Sequence, residues 1–300
     1  MSARIPEAQR MDRGAPAHAA APQGRPREPR FPFGENWLRL LEHVDEERVR
    51  IAERSLRETL GIDDLSGRTF LDAGSGSGPF SLAATRLGAA RVHSFDFDPD
   101  SVACTRLMKE RFAPDLETWT IEAGDVTDAA YCASLGGFDV VYCFGVLHSA
   151  GAMWQALDNL VGTVASGGLL FVSIYNHQGR TSKRWRRVKR LYNRLPNRLR
   201  PLFAATVWLP FEARYAAYGL THEPRTYLRT WTRRDRGMSK WHDIVDWVGG
   251  YPFEFARPEQ VFDRCRAHGL ELVGLATVRG RSACNEFVFR RSTGSAACAD

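Results

Sequence analysis

Three carboxylates and three alternating glycines supply the first chemistry in this chain. Asp72, Gly74, Gly76 and Gly78 lie in the stretch LDAGSGSGP, at the end of an apolar run. Glycines at alternate positions let a backbone pass close beneath a ligand and turn into a helix N-terminus. A dinucleotide fingerprint, G-x-G-x-x-G, would need a glycine where this chain has Pro79 or Ser81. Asp72 is also unfavourable beside a pyrophosphate and suits a cationic ligand. Asp96 ends the next apolar run, 20 residues after Gly76, where a carboxylate can accept both hydroxyls of a ribose. Asp125, after Gly124, ends the third run and is placed to meet an adenine amino group. Strand ends often carry Asp as a turn former or helix cap. Three of them on one sheet edge, joined by the glycines, point instead to a bound ligand.

A second group follows the fourth and fifth runs: His148, then Tyr175, Asn176 and His177. In α/β sheets ligands gather outside the carboxyl ends of the strands, so these are the candidates for work on a second reactant. His148 is either a base with a near-neutral pKa or a packing residue in a turn. Tyr175 and Asn176 either hydrogen-bond that reactant or simply end a strand. The six cysteines, Cys104, Cys132, Cys143, Cys265, Cys284 and Cys298, are scattered without a CxxC pair. They read as free thiols in a reducing cytoplasm, not as a disulfide framework or a metal site.

Positioning these residues calls for an alternation of strands and helices from Arg68 onward. RTFLDA, RVHSFDFD, TWTIEAGDV, FDVVYCFGV and GGLLFVSIY read as five short strands. Helices are predicted over Pro79–Leu87, PDSVACTRLMKERF and Met153–Val164. The rhythm predicts a parallel, doubly wound α/β sheet with helices on both faces and right-handed crossovers. After Tyr175 the rhythm breaks. The next clear helix is PEQVFDRCRAHGL, followed by the strands ELVGLATV and CNEFVFRR. The roughly 80 residues between them exceed any crossover and hold two helical stretches, WRRVKRLYNRL and Leu202–Tyr218.

The expected organisation is a disordered tail rich in Ala, Pro and Arg over 1–30 and a helical segment over 31–66, followed by a ligand-binding core over 67–175. An inserted basic helical cap over 176–257, a returning helix and hairpin over 258–292 and a tail over 293–300 complete it. Phe31, Phe33 and Trp37 either close over the ligand as a lid or belong to a helix docked on the sheet.

With 300 residues, 44% hydrophobic and 11% aromatic, most of the chain is globular. No run approaches the roughly 18–20 apolar residues of a membrane span. The N-terminus lacks the apolar stretch of a secretory signal, so a cytoplasmic location is expected. Of the 41 basic and 35 acidic residues, 18 and 6 fall between Asn176 and Arg257, leaving an acidic body that holds a strongly basic insert. Between Gly179 and Arg200 there are 10 Lys and Arg and no acid, interleaved with Trp185 and Tyr192. That run is either a nucleic-acid surface or a solvated amphipathic helix. In the second reading Trp185, Val188, Leu191, Tyr192 and Leu195 share an inward face and the charges point outward.

With these motifs the chain resembles the class I S-adenosylmethionine-dependent methyltransferases. The match runs through FLDAGSGSGPFSLAA, SFDFDPDSV, AGDV and FDVVYCFGVLHSAG. The resemblance implies a seven-stranded, mostly parallel sheet whose last strand runs antiparallel between the fifth and sixth. It implies S-adenosyl-L-methionine as cofactor, held by Asp72, Gly74, Gly76, Gly78, Asp96, Phe97, Asp125, Val126 and Phe144. FGENW, GVLHSAGAMWQAL, IYNHQG, MSKWHDIVDWVGGYPFE and CNEFVF are similar to a bacterial small-molecule subfamily, often likened to quinone-ring methyltransferases. That subfamily often has two consecutive histidines where this chain reads His148-Ser149. The expected function is methyl transfer to N, O or S of a small-molecule acceptor. The alternatives are an RNA methyltransferase docking through the basic insert, and a cofactor-binding protein without turnover. Phe144-Gly145-Val146-Leu147 stands where the exocyclic-amine base methylases carry Asp/Asn-Pro-Pro-aromatic, which sets that group of enzymes aside.

Overall fold

The computed structural model describes residues 46–222, 240–279 and 283–293. The expected N-terminal tail, Phe31, Phe33, Trp37, part of the insert and the last seven residues lie outside the described residues. The strands are β1 (Thr69–Ala73), β2 (Arg91–Asp96), β3 (Trp119–Ala123), β4 (Phe138–Cys143), β5 (Val164–Tyr175), β6 (Leu270–Ala276) and β7 (Cys284–Arg291). The helices are α1 (Glu46–Leu60), α2 (Pro79–Arg86), α3 (Pro99–Phe112), α4 (Ala129–Ser134), α5 (Met153–Gly162), α6 (Arg180–Arg194), α7 (Arg200–His222), α8 (Lys240–Gly249) and α9 (Pro258–Ala267).

The strands form one sheet in the order β3-β2-β1-β4-β5-β7-β6. The first five run parallel, and β7 is antiparallel to both β5 and β6. The expected seven-stranded, doubly wound architecture is therefore present. Strand periodicity explains the two cores. Phe70, Val140 and Tyr142 face one side, under α1, α2 and α3. Leu71, Ala73, Val141 and Cys143 face the other, against α5 and α9. Helix starts are written locally. Pro79 and Pro99 open α2 and α3, and the Asp98 and Asp128 side chains accept the first N–H groups of α3 and α4.

Three local expectations need correction. The helix expected to reach Val164 ends at Gly162, and Val164 pairs with Phe138 as the start of β5. Helix α4 was not expected, because six residues carry too little periodicity to announce it. The inward face of α6 is also different. Tyr192 is buried as expected, but Leu191 is exposed, and Ser182, Lys189 and Asn193 take inward places. Helices α6, α7 and α8 meet around Tyr192, Ala204, Ile244 and Val248.

Candidate active site

The glycine loop between β1 and α2 is pinned to the end of β2. Gly74 N–H and Ser75 N–H both donate to the Phe95 carbonyl, at 2.8 and 3.1 Å. Gly76 N–H donates to Asp96 Oδ2 at 3.0 Å. Thr105 of α3 closes the far side, its hydroxyl donating to the Gly76 carbonyl at 3.1 Å. Gly74, Gly76 and Gly78 have φ of 84°, 56° and 81°, a region that side chains disfavour. At Gly74 the requirement is doubled, since a Cβ there would lie 2.2 Å from Val146 Cγ2.

Asp96 accepts one backbone N–H on each oxygen, from Gly76 on Oδ2 and from Asp98 at 2.9 Å on Oδ1. Phe97 N–H is a further backbone donor to it, so the carboxylate is fixed in place with its charge-bearing oxygens at the end of β2. Burial pushes its pKa up to about 6.

Asp72, at the end of β1, is buried. Its Oδ2 accepts the Ser81 hydroxyl at 2.5 Å, the Ser81 and Ser94 hydroxyls are 2.7 Å apart, and Trp119 Nε1–H donates to Ser94 at 2.8 Å. An indole N–H can only donate. The chain therefore has one direction: Trp119 to Ser94, Ser94 to Ser81, Ser81 to Asp72. Every donor in it ends on the carboxylate. Burial, with Asp96 as a like charge, nevertheless raises the Asp72 pKa to about 7. A buried carboxylate of this kind gains most from a cationic partner.

Asp125 splits its two expected roles. Its Oδ1 accepts both N–H and Oγ1–H of Thr127, at 2.9 and 2.6 Å, as a turn former would. Its Oδ2 has no bond among the described residues. Gly124 is required by Tyr131, whose ring would lie 2.4 Å from a Cβ there, and Gly124 N–H donates to the Asp96 carbonyl at 3.0 Å. Val126 is buried beneath this edge, whereas the rings of Phe97 and Phe144 are partly open to water at the ends of β2 and β4.

His148 lies in the short turn Leu147–Ser149 after β4. Its ring is 4.0 Å from that of Tyr175, the last residue of β5. Tyr175 in turn meets Phe253 at 4.9 Å and Trp247 edge-on at 6.0 Å. The segment carrying Phe253 is tied down by Glu254 N–H to the His148 carbonyl at 2.8 Å and Ala256 N–H to the Tyr175 carbonyl at 3.0 Å. The expected near-neutral pKa of His148 is not found. Burial, with Lys189 as a nearby like charge, lowers it to about 3, so the imidazole stays neutral. Its Nδ1 is buried without a hydrogen-bond partner. Asn176 is drawn into the fold: its Oδ1 accepts Asn285 Nδ2 at 3.2 Å, and its N–H donates to Ala283 at 3.0 Å. The His177 ring meets that of Phe255 at 5.3 Å, tilted by 49°.

Sequence reasoning missed Ser81, Ser94 and Trp119 behind Asp72, because a chain assembled across two strands and a helix has no spacing signature. It also missed Lys189, which lies 5.1 Å from the Trp247 ring and 5.0 Å from the Phe253 ring, with its Nζ donating to the Trp247 carbonyl. Cys104 and Cys265 are pushed up to about 12 and Cys132 to about 11 by burial, so these thiols are inert at neutral pH. Among the described residues no three metal-ligating side chains converge.

A family profile described as a methyltransferase domain matches residues 64–235, more than half of the chain. The chain is similar to the ribosomal protein L11 methyltransferase of Methylococcus capsulatus, 33% identical over 118 residues. That alignment covers 39% of this chain and only 36% of the relative. Among solved structures, PKMT2 from Rickettsia typhi shares the fold with a TM-score of 0.55 at 13% identity, over 81% of this chain and 53% of the other. An O-methyltransferase family protein from Burkholderia thailandensis does so with a TM-score of 0.51 at 14% identity, over 88% and 62%.

Proposed function

The chain belongs to the methyltransferase-domain family, and from that premise we propose that it transfers the methyl group of S-adenosylmethionine to an N, O or S atom of a small-molecule acceptor. The carrying observation is the pair of carboxylates at the ends of β1 and β2, one buried and fed by a chain of donors, the other bonded to the glycine loop. The donor set fits the cofactor. Asp72 suits the ammonium group, and the fixed carboxylate of Asp96 suits the two ribose hydroxyls. Asp125 Oδ2 suits the adenine amino group, with Val126, Phe97 and Phe144 along the same edge. When bound, the cofactor supplies a methyl group already activated on a sulfonium.

What remains for the protein is orientation and exclusion of water. Holding two reactants in line contributes roughly 7–11 kcal/mol to such a reaction. His148 and Tyr175 are the residues proposed to hold the acceptor. A neutral imidazole with an unpartnered Nδ1 accepts a hydrogen bond from an O–H or N–H of the acceptor and fixes its direction. It does not store the proton, since its pKa lies far below neutrality. Asn176, engaged with Asn285, braces the end of β5. Tyr175, Trp247 and Phe253 surround this point with rings, a setting that favours a small apolar acceptor.

A macromolecular acceptor is the weaker reading. Five of the exposed cations of α6, Arg180, Lys183, Arg184, Arg187 and Arg194, lie on the far side of that helix from buried Lys189, and hence away from His148. Arg186 alone of the exposed cations of α6 turns inward, over the Phe255 ring. The test is incubation of the protein with methyl-labelled S-adenosylmethionine and fractionated cell extract. Label is expected in the low-molecular-weight fraction. Label confined to precipitated RNA or protein contradicts the small-molecule acceptor.

A further inference from the structure

The insert presents two outer faces that the proposed chemistry does not use. On α6, Arg180, Lys183, Arg184, Arg187 and Arg194 are all exposed and share one face of the helix. That face lies opposite buried Ser182, Lys189 and Asn193. Leu191 stands in the middle of it, exposed. On α7 the outer stripe has a different character. Leu202, Ala205, Leu209, Ala213, Ala217 and Leu220 follow three- and four-residue steps, and each is exposed. None is charged, and Leu202, Leu209 and Leu220 are 65%, 66% and 50% exposed.

The inner side of α7 is already used: Ala204, Phe203, Val207 and Trp208 pack on the cluster around Tyr192, Ile244 and Val248. A 23-residue helix, about 35 Å long, thus packs inward through its first half, as far as Phe211, and carries an apolar stripe towards water along the other side. Scattered exposed leucines are ordinary; a row of them marks an interaction surface.

We propose that the insert docks on an anionic lipid surface, with α7 lying in the interface plane. Its leucine stripe enters the acyl boundary and the cations of α6 meet the headgroups. Three observations select this partner. First, the apolar stripe adjoins a strongly cationic helix, the combination that binds acidic membranes. Second, α7 carries its apolar residues as a stripe along one side and no helix among the described residues is long and apolar enough to cross a membrane, so a lipid contact of α7 is an interfacial one. Third, the charge split orients the whole molecule. Residues 176–257 carry 18 basic against 6 acidic residues, whereas the rest carries 23 against 29. An anionic surface therefore attracts the insert and repels the body.

The same facts weigh against the other occupants. A second copy on the stripe would bring two strongly basic inserts together. A nucleic acid would use the cations of α6 and strand the leucines of α7, because such interfaces are polar.

The test is co-sedimentation of the full chain with vesicles of phosphatidylcholine alone and of phosphatidylcholine mixed with phosphatidylglycerol. Binding is expected to the mixed vesicles, weakened by added salt. The double variant Leu202→Glu, Leu209→Glu should lose on the order of tenfold or more in vesicle affinity. Arg184→Gln with Arg187→Gln should lose affinity for the mixed vesicles specifically. All four positions are exposed and outside the cofactor and acceptor residues, so binding of S-adenosylhomocysteine should be unchanged and reports that the variants are folded. The proposal is overturned if the native chain ignores the mixed vesicles, or if the leucine variant binds them equally well. It is also overturned if the leucine variant converts a dimer to a monomer in size-exclusion chromatography, or if the chain binds bulk RNA and not lipid.

Discussion

Asp72 is a carboxylate whose surroundings pull in two directions. Burial raises its pKa to about 7, and the Ser81 hydroxyl opposes that rise. In the ligand-free protein the site therefore takes up a proton as pH falls through about 7, and Asp96 does the same near 6. A cation and ribose hydroxyls both need the ionised forms. Affinity for the cofactor should accordingly weaken as pH is lowered from about 8 to about 5.5, in titration calorimetry corrected for buffer ionisation. Flat affinity over that range would remove the two carboxylates from the site. Replacing Ser81 by Ala deletes the donor on Asp72 Oδ2. The midpoint of the pH dependence should then move upward, with affinity at neutral pH reduced roughly tenfold. Ser94→Ala should act in the same direction more weakly; an unmoved midpoint in Ser81→Ala would show that the hydroxyl chain does not reach the ligand. His148 has the opposite sign. Its folded pKa of about 3 lies below the unfolded value, so its contribution is present above about pH 6.5 and is lost as pH falls toward 3. His148→Asn should therefore flatten the fall in Tm between about pH 6.5 and 4. An identical acid slope in the variant would mean that the imidazole is not held neutral in the fold.

At the scale of elements, the β1–α2 turn carries the tightest constraint. Gly74→Ala meets both a φ of 84° and the Val146 side chain. It should cost roughly 1–3 kcal/mol in chemical denaturation, and Val146→Ala should restore part of that loss. Full stability of Gly74→Ala would mean that the loop can relax without consequence. This turn was legible in the sequence because its signal is local: alternating glycines after a buried strand. Strands β1 to β4 were legible for a related reason, being short apolar runs between turn signals. The start of β5 was not, because only Thr163 separates Val164 from the helix before it and Gly167 and Gly168 interrupt the run. Helix α4 was too short to show a period. Contacts between distant residues were invisible in principle. Asn176 and Asn285 lie 109 residues apart, so Asn176 could be read as a ligand-facing residue when its side chain braces two strands. Lys189 gave the wrong impression for another reason. A lysine in a run of cations reads as solvated, yet Trp247 and Phe253, from elsewhere in the chain, enclose it. The cofactor side of the candidate site could thus be read from local motifs, whereas the acceptor side depends on packing between the sheet edge and the insert.

At the scale of the whole molecule, an acidic α/β body and a basic helical insert divide the work. In the proposed reading, the body offers carboxylates to a cationic cofactor along one sheet edge. The insert offers rings above the ends of β4 and β5 and cations to the outside. Cofactor recognition is the central claim, and every further step of the account rests on it. The most direct measurement is calorimetric titration of S-adenosylhomocysteine into the native chain and into Asp96→Ala. The account predicts saturable binding by the native chain. It predicts affinity weaker by roughly ten- to a hundredfold in Asp96→Ala, because hydrogen bonds to a charged carboxylate contribute about 1.5–3 kcal/mol, with the ligand-free Tm little changed. No heat with the native chain, binding of NADH in its place, or equal affinity in the variant would contradict it.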